Sequence, residues 1–174
     1  MYPLNIQDDL ILIKDIKPGD LYHVFRWYNL SDEFKFATGI ETKVTFKTLS
    51  TMYMEIVEKK DEFFAGIYIE RGSKIIGLLK GRFSLGKNNV LWLSVLIIDP
   101  AFQNMGYGSK CVNLLLKDLK IRMNINTVFV AVVEENVKGK AFWVKQGFLT
   151  AKKMVKSINQ NTRPQRISIM RKNI

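Results

Sequence analysis

The chain has 174 residues, with 27 Lys and Arg against 16 Asp and Glu, for a formal charge of +11. That length fits one domain with a sizeable core, no stretch is long and apolar enough to span a bilayer, and acids stand where a signal peptide has its basic region, so the chain reads as a soluble cytoplasmic protein. Cys111 is the single cysteine, which excludes an internal disulfide, and His23, the only histidine, makes no plausible catalytic partner for it; no metal site is expected.

In chain order, Asp9 to Ile16 is apolar enough at Leu10, Ile11, Leu12 and Ile13 to form a first strand, which Pro18, Gly19 and Asp20 stop. Asp20 suits the N-cap of a helix whose inner face is Leu21, Val24, Phe25 and Tyr28. Ser31 to Thr42 is mixed and reads as loop. Thr45 caps a second helix from Phe46 to Glu58, with Phe46, Leu49, Tyr53, Ile56 and Val57 as its stripe. Strands then follow at Phe63 to Glu70 and Lys74 to Phe83, joined by the turn Arg71, Gly72, Ser73. After a second turn through Gly86, Lys87, Asn88 and Asn89, the run Val90 to Ile98 is almost wholly apolar and predicts a strand buried on both faces. Val112, Leu115, Leu116, Leu119 and Met123 recur at helical spacing. The β-branched run Thr127 to Glu134 completes a strand, helix, strand crossover and hence a parallel pair. Val137, Ala141 and Val144 mark a short helix ending at Gly147. Phe148 to Lys156 forms a strand, Asn159 to Pro164 a loop, and Gln165 to Met170 a closing strand in which Arg166 and Ser168 alternate with Ile167 and Ile169.

Between the Val90 strand and the following helix lies Asp99 to Ser109, a turn carrying Gly106 and Gly108. A buried strand, a glycine turn and a helix in immediate succession aim backbone N–H groups and the positive end of the helix dipole at one point, which is how chains hold phosphate oxygens. The rival nucleotide loops are missing, since there is neither GxxxxGK[ST] nor a GxGxxG in a βαβ unit with a ribose-binding acid. Gln103, Gly106 and Gly108 stand in QxxGxG spacing, and in this the sequence resembles the GCN5-related N-acetyltransferases. Asn136, Ala141, Phe142, Trp143, Lys145, Gly147 and Phe148 resemble that family's second signature, in the right order and one helix and one strand downstream.

The resemblance implies a single α/β (α+β) domain over residues 9–174, of the acyl-CoA N-acyltransferase fold. Its central sheet is mixed and mostly antiparallel, with helices on both faces, and the strands at Val90 to Asp99 and Thr127 to Glu134 splay to admit acetyl-CoA. Backbone groups near Ile97, Ile98 and Asp99 then hold the pantetheine amides and polarise the thioester carbonyl. Gln103, Asn104, Met105, Gly106, Tyr107, Gly108 and Ser109 wrap the pyrophosphate, Asn136 meets the pantetheine arm, and Phe142 and Trp143 lie beside the thiol end.

The implied reaction is direct transfer of acetyl from CoA sulfur to an amine of a small molecule, a protein N-terminus or a lysine. An alkyl amine with a pKa of about 10.4 must first lose a proton. Glu134 is the nearest acidic candidate for a base and Ser94 the one polar side chain on the cofactor strand before Asp99, each with a structural reading beside the catalytic one. Trp143 stands where many members have a tyrosine that protonates the thiolate, and an indole N–H only donates. That departure keeps open a catalytically impaired CoA-binding sensor or interaction module. Tyr28, Tyr53 and Tyr68 line either a pocket or the core, and His23 is structural or exposed. The dispersed positive charge disfavours polyamine and aminoglycoside substrates, and nucleic acid is disfavoured by the lack of RNA-binding signatures. The final strands offer a surface for a homodimer.

Overall fold

Eight strands form one sheet in the order β1-β2-β3-β4-β5-β6-β8-β7, in a computed structural model that describes residues 1–38, 42–156 and 164–174. The strands are β1 (Asn5–Gln7), β2 (Leu12–Asp15), β3 (Glu62–Ile69), β4 (Lys74–Ser84), β5 (Val90–Ile98), β6 (Thr127–Val133), β7 (Leu149–Lys156) and β8 (Gln165–Asn173). Every neighbouring pair is antiparallel except β5 with β6. The helices are α1 (Leu21–Asn29), α2 (Ser31–Thr38), α3 (Phe46–Glu58), α4 (Tyr107–Met123) and α5 (Val137–Lys145).

Two apolar cores separate the helices by face. On one face α4 buries Cys111, Val112, Leu115, Leu116 and Leu119 against Leu91, Leu93, Val128, Val130, Phe148 and Met170. Phe142 and Trp143 of α5 pack against the same core. On the other face, Leu21, Val24, Trp27 and Tyr28 of α1, Phe34 of α2 and Leu49 and Ile56 of α3 close over Phe64, Leu78, Val95 and Ile97. No described helix is long and apolar enough to cross a membrane.

The local structure departs from the sequence reading at several points, each with a physical cause. The expected strand from Asp9 to Ile16 is shortened to β2, with β1 standing ahead of it, because the Asp8 carboxylate accepts the N–H groups of Leu10 and Ile11, both at 2.8 Å, and bends the chain there. Leu10 is accordingly exposed. Asp20 stands at the N-cap position of α1 as expected, but its side chain does not cap the helix: it ends a 3-10 turn, and its carboxylate accepts the Lys17 N–H at 3.0 Å and the Tyr68 hydroxyl at 2.8 Å. Within the expected loop from Ser31 to Thr42, residues 31–38 form α2, whose core contact is concentrated in Phe34, a stripe too short to stand out as a period. Residues 39–41 of that loop lie outside the described residues, as do residues 159–163 of the later one.

The α3 boundaries match, and the Thr45 hydroxyl accepts the Thr48 N–H at 3.1 Å as its cap. Phe46 and Val57 nevertheless stay exposed. The run of β5 is covered on both faces only beyond Ser94: before it Leu91 and Leu93 are buried while Trp92 and Ser94 face out, whereas after it Val95 and Ile97 are buried in one core and Leu96 and Ile98 pack, partly buried, against the other. In β8 the serine of the polar rank is the buried one, since Ser168 is fully covered and Arg166 is not.

Packing within one helix gives a direct check. Leu115→Ala, at a fully buried position of α4, is expected to cost about 3 kcal/mol in urea unfolding. Ile121→Ala, on the same helix but 75% exposed, is expected to stay within about 0.5 kcal/mol.

Candidate active site

The site begins where a pair of strands stops pairing. β5 meets β6 only at Val90, Leu91 and Trp92, opposite Thr127, Val128 and Phe129. Beyond that, β5 continues along β4 as far as Ile98, and β6 continues along β8 as far as Val133. Their facing edges therefore diverge into a wedge. A bulge accounts for the divergence: Gly81 pairs with Leu93 and Lys80 with Val95, so Ser94 is the extra residue of β5. The bulge also reverses the strand's facing, for Leu91 and Leu93 enter the α4 core whereas Val95 and Ile97 enter the core under α1–α3. Beyond Trp92 and Phe129 these facing edges have no strand partner, and such edges suit pairing with an extended, amide-bearing ligand. On the α1–α3 face, α2 packs against both β5 and β6.

The wedge opens onto the glycine turn. Asp99 takes up the Ala101 N–H at 3.0 Å, and the Gln103 side-chain amide donates to the Ile98 carbonyl at 2.9 Å, which pins the start of the turn to the end of β5. Asn104 at φ 60° and Gly106 at φ 84° then swing the chain into α4. The first bond of that helix runs from Lys110 N–H to the Gly106 carbonyl at 3.0 Å, leaving the N–H groups of Tyr107, Gly108 and Ser109 at its mouth without intrahelical acceptors. A Cβ added at Gly106 would meet nothing within 4 Å, so the turn's face is open, as an anion cradle requires.

The two signature segments meet there. A Cβ at Gly108 would come within 3.3 Å of the Phe142 ring, and the Gln146 side-chain amide donates to the Ser109 hydroxyl at 2.8 Å. Trp143 is held edge-on between Phe142 and Phe148, each ring 5.0 Å away. Asn136 is the N-cap of α5, its side-chain oxygen accepting the Gly139 N–H at 2.8 Å.

Residues 13–165 match the family model described as acetyltransferase (GNAT) domain. The chain belongs to the GNAT acetyltransferase family. Among solved structures, this GNAT domain is similar to a spermidine N-acetyltransferase from Vibrio cholerae in complex with CoA and spermine, at 18% identity and a TM-score of 0.81 over 95% of this chain and 96% of that one. It is also similar to a probable GNAT acetyltransferase from Chromobacterium violaceum, at 12% identity and a TM-score of 0.85 over 99% and 87% of the two chains. A GNAT acetyltransferase from Bacillus anthracis aligns at 16% identity and a TM-score of 0.81 over 98% of each. At these identities the likeness is one of fold. A comparison with curated proteins gives no match.

Within this GNAT domain the side chains considered for proton transfer are differently placed. The Glu134 carboxylate accepts the Ser168 hydroxyl at 2.8 Å and lies 3.4 Å from the Lys140 ammonium and 3.5 Å from that of Lys153. The Ser168 bond first and the Lys140 bond second hold it below the usual glutamate range, which makes it a poorer base. Ser94 is exposed on the bulge. The Tyr53 hydroxyl donates to the Ile16 carbonyl at 3.1 Å, Tyr68 is bound to Asp20, and His23 is exposed beside Trp27. Burial pushes the Tyr28 phenol up to about 12 and raises the Cys111 thiol as well, so both stay protonated at neutral pH and Cys111 is unreactive.

Three contributors escape a reading of the sequence alone. Gln146 and Ser168 are unremarkable polar residues until the fold sets them against Ser109 and Glu134. Trp27 is the third, its indole N–H donating to the Asp99 carboxylate at 2.8 Å. It lies one turn from Val24, on the inner face of α1, and the polar edge of a buried tryptophan ordinarily finds a partner.

Because the folded-state pKa of Glu134 is depressed, its contribution to stability is complete at neutral pH and is lost as pH falls through the carboxylate range. Melting temperatures of Glu134→Gln and the parent are therefore expected to differ at pH 7 and to converge below a pH of about 4.

Proposed function

We propose that this protein transfers the acetyl group of acetyl-CoA directly to a primary amine in a ternary complex, within one catalytic domain over residues 9–174. The observation that carries this reading is the wedge between β5 and β6 opening onto the helix mouth at Gly106. The wedge supplies amide partners for a pantetheine arm, near Ile97, Ile98 and Asp99. The turn from Gln103 to Ser109 supplies N–H groups for a pyrophosphate, and Asn136, Phe142 and Trp143 border the same opening from α5. When bound, acetyl-CoA brings an activated acyl group, and the chain's task is to orient it and keep the amine on line.

The amine approaches from the α1–α2 side, loses a proton to water and attacks the thioester carbonyl, whose developing negative charge is met by backbone N–H groups of β5 beyond the bulge. Trp143 offers no acid strong enough to protonate a thiolate and Glu134 is engaged by Ser168 and two lysines, so solvent protonates the departing thiolate. The acceptor is an amine of a small molecule, a protein N-terminus or a lysine. The Vibrio cholerae relative in complex with spermine raises polyamines as acceptors, and the charge of +11 on this chain opposes a polycation's approach. A second copy, if one adds, would meet the edge strand β7, whose Lys152 and Lys153 resist strand addition.

Calorimetric titration with acetyl-CoA, followed by thiol release across a panel of amines and peptides, tests the reading. Saturable binding with amine-dependent thiol release is expected, and absence of binding would overturn it. Gly106→Asp is expected to remain folded by circular dichroism and to weaken acetyl-CoA binding by at least about 100-fold, because it sets a carboxylate where the pyrophosphate lies. Unchanged affinity in the folded variant would displace the phosphate site from this turn.

A further inference from the structure

The hydrogen bond between Trp27 and Asp99 joins the two halves of the site. Trp27 is 1% exposed in the core beneath α1–α3, and its indole N–H reaches the Asp99 carboxylate at 2.8 Å, across 72 positions of sequence. Asp99 is a branch point. One carboxylate oxygen holds the indole, the other holds the Ala101 N–H at 3.0 Å, and its own N–H donates to the Ile76 carbonyl at 2.8 Å. Directly before it, the Ile98 carbonyl receives the Gln103 side chain. The start of the glycine turn is thus fastened to α1 as well as to the sheet.

The same last turn of α1 is fastened to a further segment as well. Asn29 donates from its side-chain amide to the Val44 carbonyl at 3.1 Å and accepts the Val44 N–H at 3.0 Å, which ties α1 to the segment leading into α3. A hydrogen bond to a carboxylate is stronger than one between neutral groups, and a fully buried indole left without its acceptor carries a desolvation penalty. Displacing the glycine turn therefore displaces Trp27, and with it the helix that carries the acceptor side.

We infer that Trp27 is a positioning residue that couples the acceptor side of the site to the cofactor turn, so that acetyl-CoA binding at the turn also orders α1. This rests on the transferase reading above, with Asp99 at the end of the cofactor strand. Trp27 touches neither substrate in this scheme; it acts through Asp99.

Hydrogen exchange with and without acetyl-CoA tests the coupling without any acceptor. In the parent, acetyl-CoA is expected to slow exchange both at residues 103–115 and at residues 21–29. In Trp27→Phe, which keeps an aromatic ring and loses the donor, protection is expected to survive at 103–115 and vanish at 21–29, with acetyl-CoA affinity about fivefold weaker. Asp99→Ala removes the same bond from its partly exposed end, serves if Trp27→Phe does not fold, and is expected to lose the same α1 protection. A cycle of the two single variants and the double is expected to be non-additive in acetyl-CoA affinity. Protection of 21–29 that persists in the folded variants, or additive effects, would overturn the coupling while leaving the transferase reading intact. Failure of the parent to bind acetyl-CoA would overturn both.

Discussion

Everything at this site depends on two strands being prevented from pairing. A parallel ladder between β5 and β6 starts at Val90 and stops at Trp92, and the cause is local: one extra residue, Ser94, bends β5 away. Without the bulge, the hydrophobic run of β5 would keep one face throughout and its edge would be satisfied by β6. With it, the edge is unsatisfied, the strand changes which core it feeds, and the backbone groups freed are the ones a ligand can use.

The surrounding structure keeps that opening from collapsing. On one side β4 continues to hold β5 to its last residue, and on the other β8 holds β6. The two apolar cores lie on opposite faces of the sheet, so each strand bordering the wedge is clamped by packing as well as by its outer ladder. Phe142 against Gly108 and Gln146 against Ser109 then lock α5 to the start of α4, so the glycine turn has fixed walls before any ligand arrives. Donors held in place in this way need no rearrangement to meet an anion.

Much of this was legible in the sequence where the cause is local. The α3 cap at Thr45, the glycine turn, the crossover from β5 through α4 to β6, and the termination of α5 at Gly147 rest on residues adjacent in the chain. The bulge was not legible, because Ser94 in a run of Val, Leu and Ile looks like a tolerated polar residue, and only the register against β4 shows it to be extra. The first strand was misread for a related reason: Leu10 and Ile11 carry strand propensity, and a single carboxylate at Asp8 overrides it by capturing their N–H groups. Likewise, nothing near Glu134 foretells that Ser168, 34 residues on, will engage it. Hydrogen bonds across the sheet decide which polar residues remain free for chemistry, and those bonds have no local signature.

The order of strands carries a consequence for how the molecule is made. β8 lies between β6 and β7, so the outer ladder of β6 is completed by residues 165–173, which leave the ribosome well after β6 itself. Until then β6 is held to the sheet only by its short pairing with β5, and β7 has no sheet to join. The nascent chain can assemble β1 to β5 as a continuous antiparallel meander of nearest neighbours, whereas the far wall of the wedge waits for a long-range insertion, the slow kind of contact in folding. The β6–β8–β7 half is thus the last to become native, and a chain stalled before residue 165 presents the β1–β5 meander without the second wall of the wedge.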